Sequence, residues 1–268
     1  DLALIVTDEP AAAAAIFTTN RVQAAPVRLS RKHLKASKGR VKALLINAGN
    51  ANCATRTGDK VALSTTTALA KRLKCPVEQV LPSSTGVIGV ELNASLITKA
   101  LPKLVAGLSP DRFDDVSQAI LTTDTVRKVA FAEVALQGGV VRIAGMTKGA
   151  GMIQPNMATT LGYVLTDAAI SPKVLHSMLT KAAEVSYHRL TVDGDTSTND
   201  TLALLANGAS GVRVTGKDEM IFEEALSVLM QDLARQIAKD GEGAKKLITI
   251  HLTGAADDES AARMGRAI

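Results

Sequence analysis

Apolar residues fall in short blocks along the chain, and the spacing within each block separates strands from helices. Leu2 to Val6 reads as a strand, Ala11 to Phe17 as a second, and Val22 to Leu29, alternating loosely around Pro26, as a third. Val41 to Ala48 is a continuous apolar run of buried-strand length, closed by the turn-forming Gly49-Asn50-Ala51-Asn52. Lys60 to Leu73 and Leu92 to Leu104 carry helical periodicity, the second with Asn93 at its start. Pro110 to Leu121 and Pro172 to Tyr187 read as helices entered through Ser109 and Ser171. Val129–Leu136 and Val140–Met146, joined by Gln137-Gly138-Gly139, form a predicted hairpin. Leu161–Leu165, Thr201–Ala206 and Leu247–Thr253 are further strands, and Asp218 to Lys239 is a long amphipathic helix. Strand clusters interrupted by helices predict a layered α/β (α+β) fold without internal repeats.

Irregular stretches punctuate these blocks. Lys148-Gly-Ala-Gly-Met-Ile-Gln-Pro-Asn-Met-Ala-Thr-Thr-Leu-Gly162 is broken by glycines and a proline before it enters the Leu161 strand. A hydroxyl therefore sits where a loop meets a sheet, with Lys148 upstream. Thr159 is either an ordinary strand-start threonine or, were the Ala158–Thr159 bond cut, a nucleophile carrying its own base as a free α-amine. Val80-Leu-Pro-Ser-Ser-Thr-Gly-Val-Ile-Gly89 predicts a strand running into a Ser-Ser-Thr-Gly turn. That turn is either a plain polar connection or a place where two backbone N–H groups converge on a developing oxyanion.

Composition narrows the field. With 268 residues, 46% apolar but only 2% aromatic and no tryptophan, the core has to be built from Ala, Val, Leu and Ile, which favours closely packed layers. The formal charge of +5 is mild. Its densest basic run, Arg31, Lys32, Lys35, Lys38, Arg40 and Lys42, has no interleaved aromatics and reads as a solvated face, so no nucleic-acid partner is expected. Two cysteines, Cys53 and Cys75, and four scattered histidines give neither a disulfide framework nor a metal-ligand spacing. No run reaches membrane-span length and no signal peptide opens the chain, so the expectation is a soluble, cytoplasmic protein of a reducing compartment, with no metal and no membrane.

Two motif look-alikes fail on chemistry. Gly211-Val-Arg-Val-Thr-Gly-Lys-Asp218 ends in Asp218 where a P-loop needs a hydroxyl for magnesium. Asp193-Gly-Asp-Thr-Ser-Thr-Asn-Asp200 lacks the sixth-position glycine and the twelfth-position glutamate of a calcium loop. No G-x-G-x-x-G follows a strand.

Four stretches together resemble the ornithine acetyltransferase, or glutamate N-acetyltransferase, family of the cyclic arginine pathway. They are Ile46-Asn-Ala-Gly-Asn-Ala-Asn52, Ser84-Thr-Gly-Val-Ile-Gly89, Lys148-Gly-Ala-Gly-Met-Ile with Pro155-Asn-Met-Ala-Thr159, and Asp193-Gly-Asp-Thr-Ser-Thr-Asn-Asp200. The resemblance implies an αββα sandwich of the ornithine acetyltransferase and DmpA-like type. It implies self-cleavage between Ala158 and Thr159 into an α-chain portion, 1–158, and a β-chain portion, 159–268, and assembly as an α2β2 heterotetramer. Carried onto this sequence, Thr159 is the nucleophile, Thr85 and Gly86 form the oxyanion hole, and Thr122, Lys148, Thr159 and Glu242 bind substrate. The implied reaction moves acetyl from N-acetylornithine to glutamate without a cofactor, with acetyl-CoA as an alternative acetyl donor in some members. Family members are longer than this chain and place further substrate contacts beyond Ile268. Gln154 and Thr160 stand where the family pattern has Ala and Met. Rival expectations are an N-terminal-nucleophile amidohydrolase or aminopeptidase, a secondary-metabolite paralogue, and a non-enzymatic binding protein on the same scaffold.

Overall fold

The computed structural model describes residues 1–154 and 160–268. Among the described residues, strands and α-helices follow the chain as β1 (Leu2–Phe17), α1 (Ala25–Ala36), β2 (Arg40–Asn50), α2 (Gly58–Leu73), β3 (Val80–Val87), α3 (Ala94–Ala106), α4 (Phe113–Ala119), β4 (Lys128–Leu136), β5 (Gly139–Lys148), β6 (Leu161–Thr166), α5 (Pro172–Glu184), β7 (Thr201–Ala206), α6 (Lys217–Lys239) and α7 (Asp258–Ala267). The strands pair in the order β3-β2-β1-β7-β6-β5-β4.

That sheet does not lie flat. Five strand spacings of about 4.8 Å would hold β3 about 24 Å from β5 in a flat sheet. Yet the Lys148 ammonium at the end of β5 lies 3.3 Å from the Thr85 hydroxyl of β3. The fold-over runs through β1, whose register breaks between Val6 and Ala11. Its first half pairs with β2 and its second half, Ala12 to Phe17, with β7. Two leaves result, β3-β2-β1 and β1-β7-β6-β5-β4, with Ala3, Leu44 and Ile46 of one meeting Met146, Leu161, Tyr163, Ala203 and Leu205 of the other.

The alternation of side chains along each strand then assigns the outer layers. Leu4, Ala43 and Leu45 turn away from the inner layer and pack on Leu69 and Ala70 of α2 and Ile97 and Leu101 of α3. On the far side, Val141, Ile143, Val164, Leu202 and Leu204 pack on α5 and α6 through Leu179, Phe222, Leu226 and Leu233. The expected αββα arrangement is the one observed. The alanine run of β1 lies where both sides are crowded: Ala11, Ala13 and Ala15 join the inner layer while Ala12 and Ala14 face α5 and α6. Small side chains there let the layers approach, which explains how a core with almost no aromatic residues closes.

Helix α1 covers the outer edge of β3. The Ser30 hydroxyl donates to the Pro82 carbonyl at 2.7 Å, and His33 Nδ1–H donates to the Val80 carbonyl at 2.8 Å. Pro82, lacking an N–H, is tolerated in a strand because that strand is an edge. The basic run from α1 into the start of β2 is exposed apart from half-buried Lys42, as a solvated face requires.

Four predicted elements change. Val22 to Leu29 is not a strand: Pro26 opens α1, where its fixed φ and missing N–H fit the first turn. Leu2–Val6 and Ala11–Phe17 are one long strand rather than two. Leu247–Thr253 forms no ladder, and Leu247, Ile248 and Ile250 stand exposed, because alternation alone supplies no neighbouring edge to bond. A cavity of about 760 Å³ between β1, α3 and α4 is lined by Ile5, Leu104, Phe113, Val116 and Leu165, and none of Thr85, Thr122 or Lys148 reaches it.

Phe222 is completely buried between α6 and the leaf it covers. Phe222→Ala should lower the unfolding free energy by about 3–5 kcal/mol, read from urea denaturation.

Candidate active site

The site is built where the ends of β3 and β5 meet. Parallel pairing sets Thr85 opposite Ala48 and Gly86 opposite Gly49. Gly86 has φ +120°, and a Cβ there would lie 2.3 Å from the Gly49 carbonyl carbon. Only glycine fits, so the backbone of the Ser-Ser-Thr-Gly stretch reaches the leaf boundary in one fixed form. Asn199 locks it from the other side, its side-chain amide donating to the carbonyls of Ser84 at 2.8 Å and Ala51 at 2.7 Å.

From the facing leaf, Lys148 enters almost fully buried. Its ammonium donates to Thr122 Oγ1 at 2.6 Å and Thr85 Oγ1 at 3.3 Å and lies 3.7 Å from the Asp124 carboxylate. Burial pulls the Lys148 pKa down, partly opposed by Asp124, so the net shift is below the ordinary lysine value. A buried ammonium whose partners include two hydroxyls is suited to receiving a carboxylate.

Asp124 is the hub behind it. Its carboxylate accepts from the Gly149 N–H at 2.6 Å and pairs with the fully buried Lys128 at 2.7 Å. Lys128 also pairs with Asp240 at the end of α6, and Asp240 accepts from the N–H and the hydroxyl of Thr125. Burial pushes Asp124 upward, but Lys148, Lys128 and the Gly149 N–H outweigh it and hold the carboxyl below its usual range. Asp240 is likewise held low, its burial outweighed by the bonds from Lys128 and Thr125. Alternating charges thus run Asp240, Lys128, Asp124, Lys148 through the interior.

Glu242 follows two residues after Asp240. Its N–H donates to the Ala150 carbonyl at 2.7 Å, and its carboxylate rests on Gly151, where any Cβ would come within 2.7–2.9 Å of it. Glu242 contributes to the field at Lys148. The region therefore offers one cationic and one anionic end.

Cross-strand register places Lys148 directly opposite Leu161, so the segment between them begins and ends at the same spot. Ala158 and Thr159 lie outside the described residues. Thr160 is buried, and its N–H donates to Asp200 Oδ1 at 2.9 Å. Burial raises Asp200 well above the ordinary carboxylate value, against the Thr160 N–H, the Ser197 and Thr18 hydroxyls and Lys148. Among the described residues, no group of three or more His, Cys, Asp or Glu is placed to hold a metal, and no helix is long and apolar enough to cross a membrane.

Of the residues expected at the site, Thr85, Thr122 and Lys148 are in contact, Gly86 follows Thr85, exposed Glu242 lies against Gly151 in the stretch after Lys148, and Thr159 is outside the described residues. Sequence reasoning missed Asp124, Lys128 and Asp240. The polar Thr122-Thr-Asp-Thr125 stretch ahead of a strand was the available signal for the first of these.

Lys128→Met should leave Asp240 without its cation and Asp124 with Lys148 alone, 3.7 Å away, and cost about 3–5 kcal/mol near neutral pH. In the wild type the depressed Asp124 and Asp240 contribute stability above the ordinary carboxylate pKa of about 3.9, and lose it as pH falls through their folded values. In the variant the folded value of Asp240 rises, so the stability gap from wild type should narrow as pH falls through that raised value, read from urea titrations across pH.

The ArgJ family profile matches residues 1–268. The arginine biosynthesis bifunctional protein ArgJ of Nitratidesulfovibrio vulgaris is 47% identical, over all of this chain and 68% of its own length. The protein of the same name from Desulfotalea psychrophila is 45% identical, over all of this chain and 69% of its own. Among solved structures, the ArgJ protein of Bacillus halodurans superposes with a TM-score of 0.54 at 37% identity, covering 59% of this chain and 83% of that one. The L-aminopeptidase D-Ala-esterase/amidase of Ochrobactrum anthropi, described as a variant of the Ntn hydrolase fold, is similar in fold alone: TM-score 0.52, 9% identity, 88% and 75% coverage. With a family match from the first residue to the last, and relatives near half identity across it, this chain belongs to the ArgJ family.

Proposed function

We propose that this chain is an acetyltransferase of arginine biosynthesis that cuts itself between Ala158 and Thr159 and then moves acetyl from N-acetylornithine to glutamate. The observation that carries the proposal is the meeting of Lys148, Thr85 and Thr122 at the point where β5 ends and β6 begins, two residues beyond Thr159. Family membership and the names of the relatives support the chemistry class.

In this mechanism Thr159 Oγ attacks the acetyl carbonyl while its own α-amine takes the proton. An α-amine has a pKa near 8, close to working pH, whereas a threonine hydroxyl alone is a weak nucleophile. The carbonyl oxygen becomes an oxyanion facing the backbone donors of Thr85 and Gly86, each worth about 3–4 kcal/mol. Collapse expels ornithine, which takes the proton from the α-amine, and leaves an acetyl-threonine ester. Glutamate's amine attacks that ester, the second tetrahedral intermediate collapses, and N-acetylglutamate departs as Thr159 regains its proton. Lys148 receives a substrate α-carboxylate and Glu242 a cationic amine. Self-cleavage uses the same donors: Thr159 Oγ attacks the Ala158 carbonyl, the C–N bond breaks as an ester forms, and water hydrolyses the ester.

The two products, 1–158 and 159–268, remain interleaved through the leaves, since β1 pairs with β7 and β5 with β6. The proposal extends to an α2β2 heterotetramer in the cytoplasm, with acetyl-CoA as an alternative acetyl donor and no bound cofactor.

Thr159→Ala should give one uncut chain without transfer, visible by denaturing gel and N-terminal sequencing; normal cutting in that variant sinks the assignment. Rates with both substrates varied should give parallel double-reciprocal lines. An acetyl-enzyme that loses its acetyl to water as fast without glutamate as with it would instead select the hydrolase chemistry. Lys148→Met should reduce kcat/KM about 10- to 100-fold, as expected for one lost charge-assisted hydrogen bond.

A further inference from the structure

One loop, residues 191–200, together with Thr201 at the start of β7, holds both flanks of the segment that contains the proposed scissile bond. Upstream, the Asp193 carboxylate accepts from two successive backbone groups, the N–H of Met152 and the N–H of Ile153, the latter at 2.8 Å. Met152 has φ +54°, a conformation a methionine adopts only against a steric cost of about 1–2 kcal/mol. Consecutive N–H groups around such a residue converge on an anion, and Asp193 is that anion. The neighbouring Val192 N–H donates to the Ile153 carbonyl at 2.9 Å, and the Thr196 hydroxyl to Gln154 Oε1 at 2.7 Å. Downstream, Asp200 Oδ1 accepts from the Thr160 N–H, and the Thr201 N–H donates to the Thr160 carbonyl at 3.0 Å.

The loop is itself anchored. Thr18 donates its hydroxyl to the Ser197 carbonyl at 2.6 Å and its N–H to the Asp200 carbonyl at 3.1 Å, and Ala24 N–H donates to the Thr198 carbonyl at 3.0 Å. Asn199 fastens the loop to Ser84, the residue before Thr85. One hydrogen-bonded loop therefore connects Gln154, Thr160 and the strand bearing the proposed oxyanion donors.

We propose that this loop is a processing clamp, in which Asp193 and Asp200 are positioning residues with separable duties. The inference rests on the proposed cut at Ala158–Thr159. Attack of a hydroxyl on the carbonyl of the preceding residue is intramolecular, and its rate depends on holding both sides of the bond in an attacking arrangement. Once that bond is broken, the piece gripped by Asp193 no longer constrains Thr159, so the duty of Asp193 ends with processing. Asp200 still holds the N–H of Thr160, one peptide from the new amine, so its duty continues through every turnover.

The test is to follow cutting of the intact protein by gel after rapid expression, then measure transfer per N-terminal threonine formed. Asp193→Ala, at an exposed loop position, should slow cutting about tenfold or more while transfer per processed chain stays within about twofold of wild type. Asp200→Ala should slow both, and Asp200→Asn, which keeps one accepting oxygen for Thr160, should recover transfer. Thr196→Val, removing only the bond to Gln154, should slow cutting more mildly and serves if Asp193→Ala folds poorly. Wild type that never cuts would overturn the processing proposal itself. Wild type that cuts, with Asp193→Ala cutting at the same rate or losing transfer in equal proportion, would overturn the clamp alone.

Discussion

The folding of one continuous sheet back across itself at β1 is the constraint on which the site depends. Strands that are five neighbours apart in the ladder deliver Thr85 and Lys148 to within 3.3 Å only because the two leaves face each other. The inner layer that holds them together is built mostly of alanines, leucines and isoleucines, with valines, Met146, Phe17 and Tyr163, whose hydroxyl faces Ser83 of the opposite leaf. Small side chains there bring the two backbones close, and closeness lets a lysine on one leaf touch a threonine on the other.

Inside that arrangement the charges are arranged by sign. An isolated buried lysine or carboxylate would neutralise or drag the fold apart, since removing a charge from water costs several kcal/mol even after relaxation. The alternation Asp240, Lys128, Asp124, Lys148 gives each internal charge a partner of opposite sign, with backbone N–H groups of Gly149 and Thr125 completing the carboxylates. The last member, Lys148, keeps its face toward hydroxyls rather than toward a second carboxylate. This leaves it available, in the proposed reaction, for a substrate's carboxylate. The same chain of charges ties α6, which leads into Glu242, to the loop bearing Thr122, so both ends of the proposed substrate site are held by one set of ion pairs.

Much of this was legible from the residues. The glycines of Ser84-Thr-Gly86 and Lys148-Gly-Ala-Gly151 marked backbone positions that need unusual torsion or close approach, and both do. Helices α2, α3, α5 and α6 followed from period and caps, with Asn93 and Ser171 accepting N–H groups where expected. The errors have local causes. Pro26 reads equally as a strand interruption and as a helix opener, and only the packing of α1 along the edge of β3 decides between them. Leu247–Thr253 has a strand's alternation, but a ladder needs a second backbone.

The sequence by itself determined the secondary-structure alphabet, the places where only glycine would serve, and, through four short motifs in order, the family. Those are properties of nearest neighbours along the chain, set by torsional freedom and by apolar periodicity. Which charges would share an interior was decided only by the tertiary structure. Lys128 and Asp240 are 112 residues apart and neither has an unusual local context, so nothing short of the folded leaves could pair them. The same holds for Asp193 and Asp200, which lie in a loop that resembles a failed metal site on paper. Long-range packing carries that loop to both sides of one segment, where its carboxylates accept from the backbone N–H groups of Met152, Ile153 and Thr160.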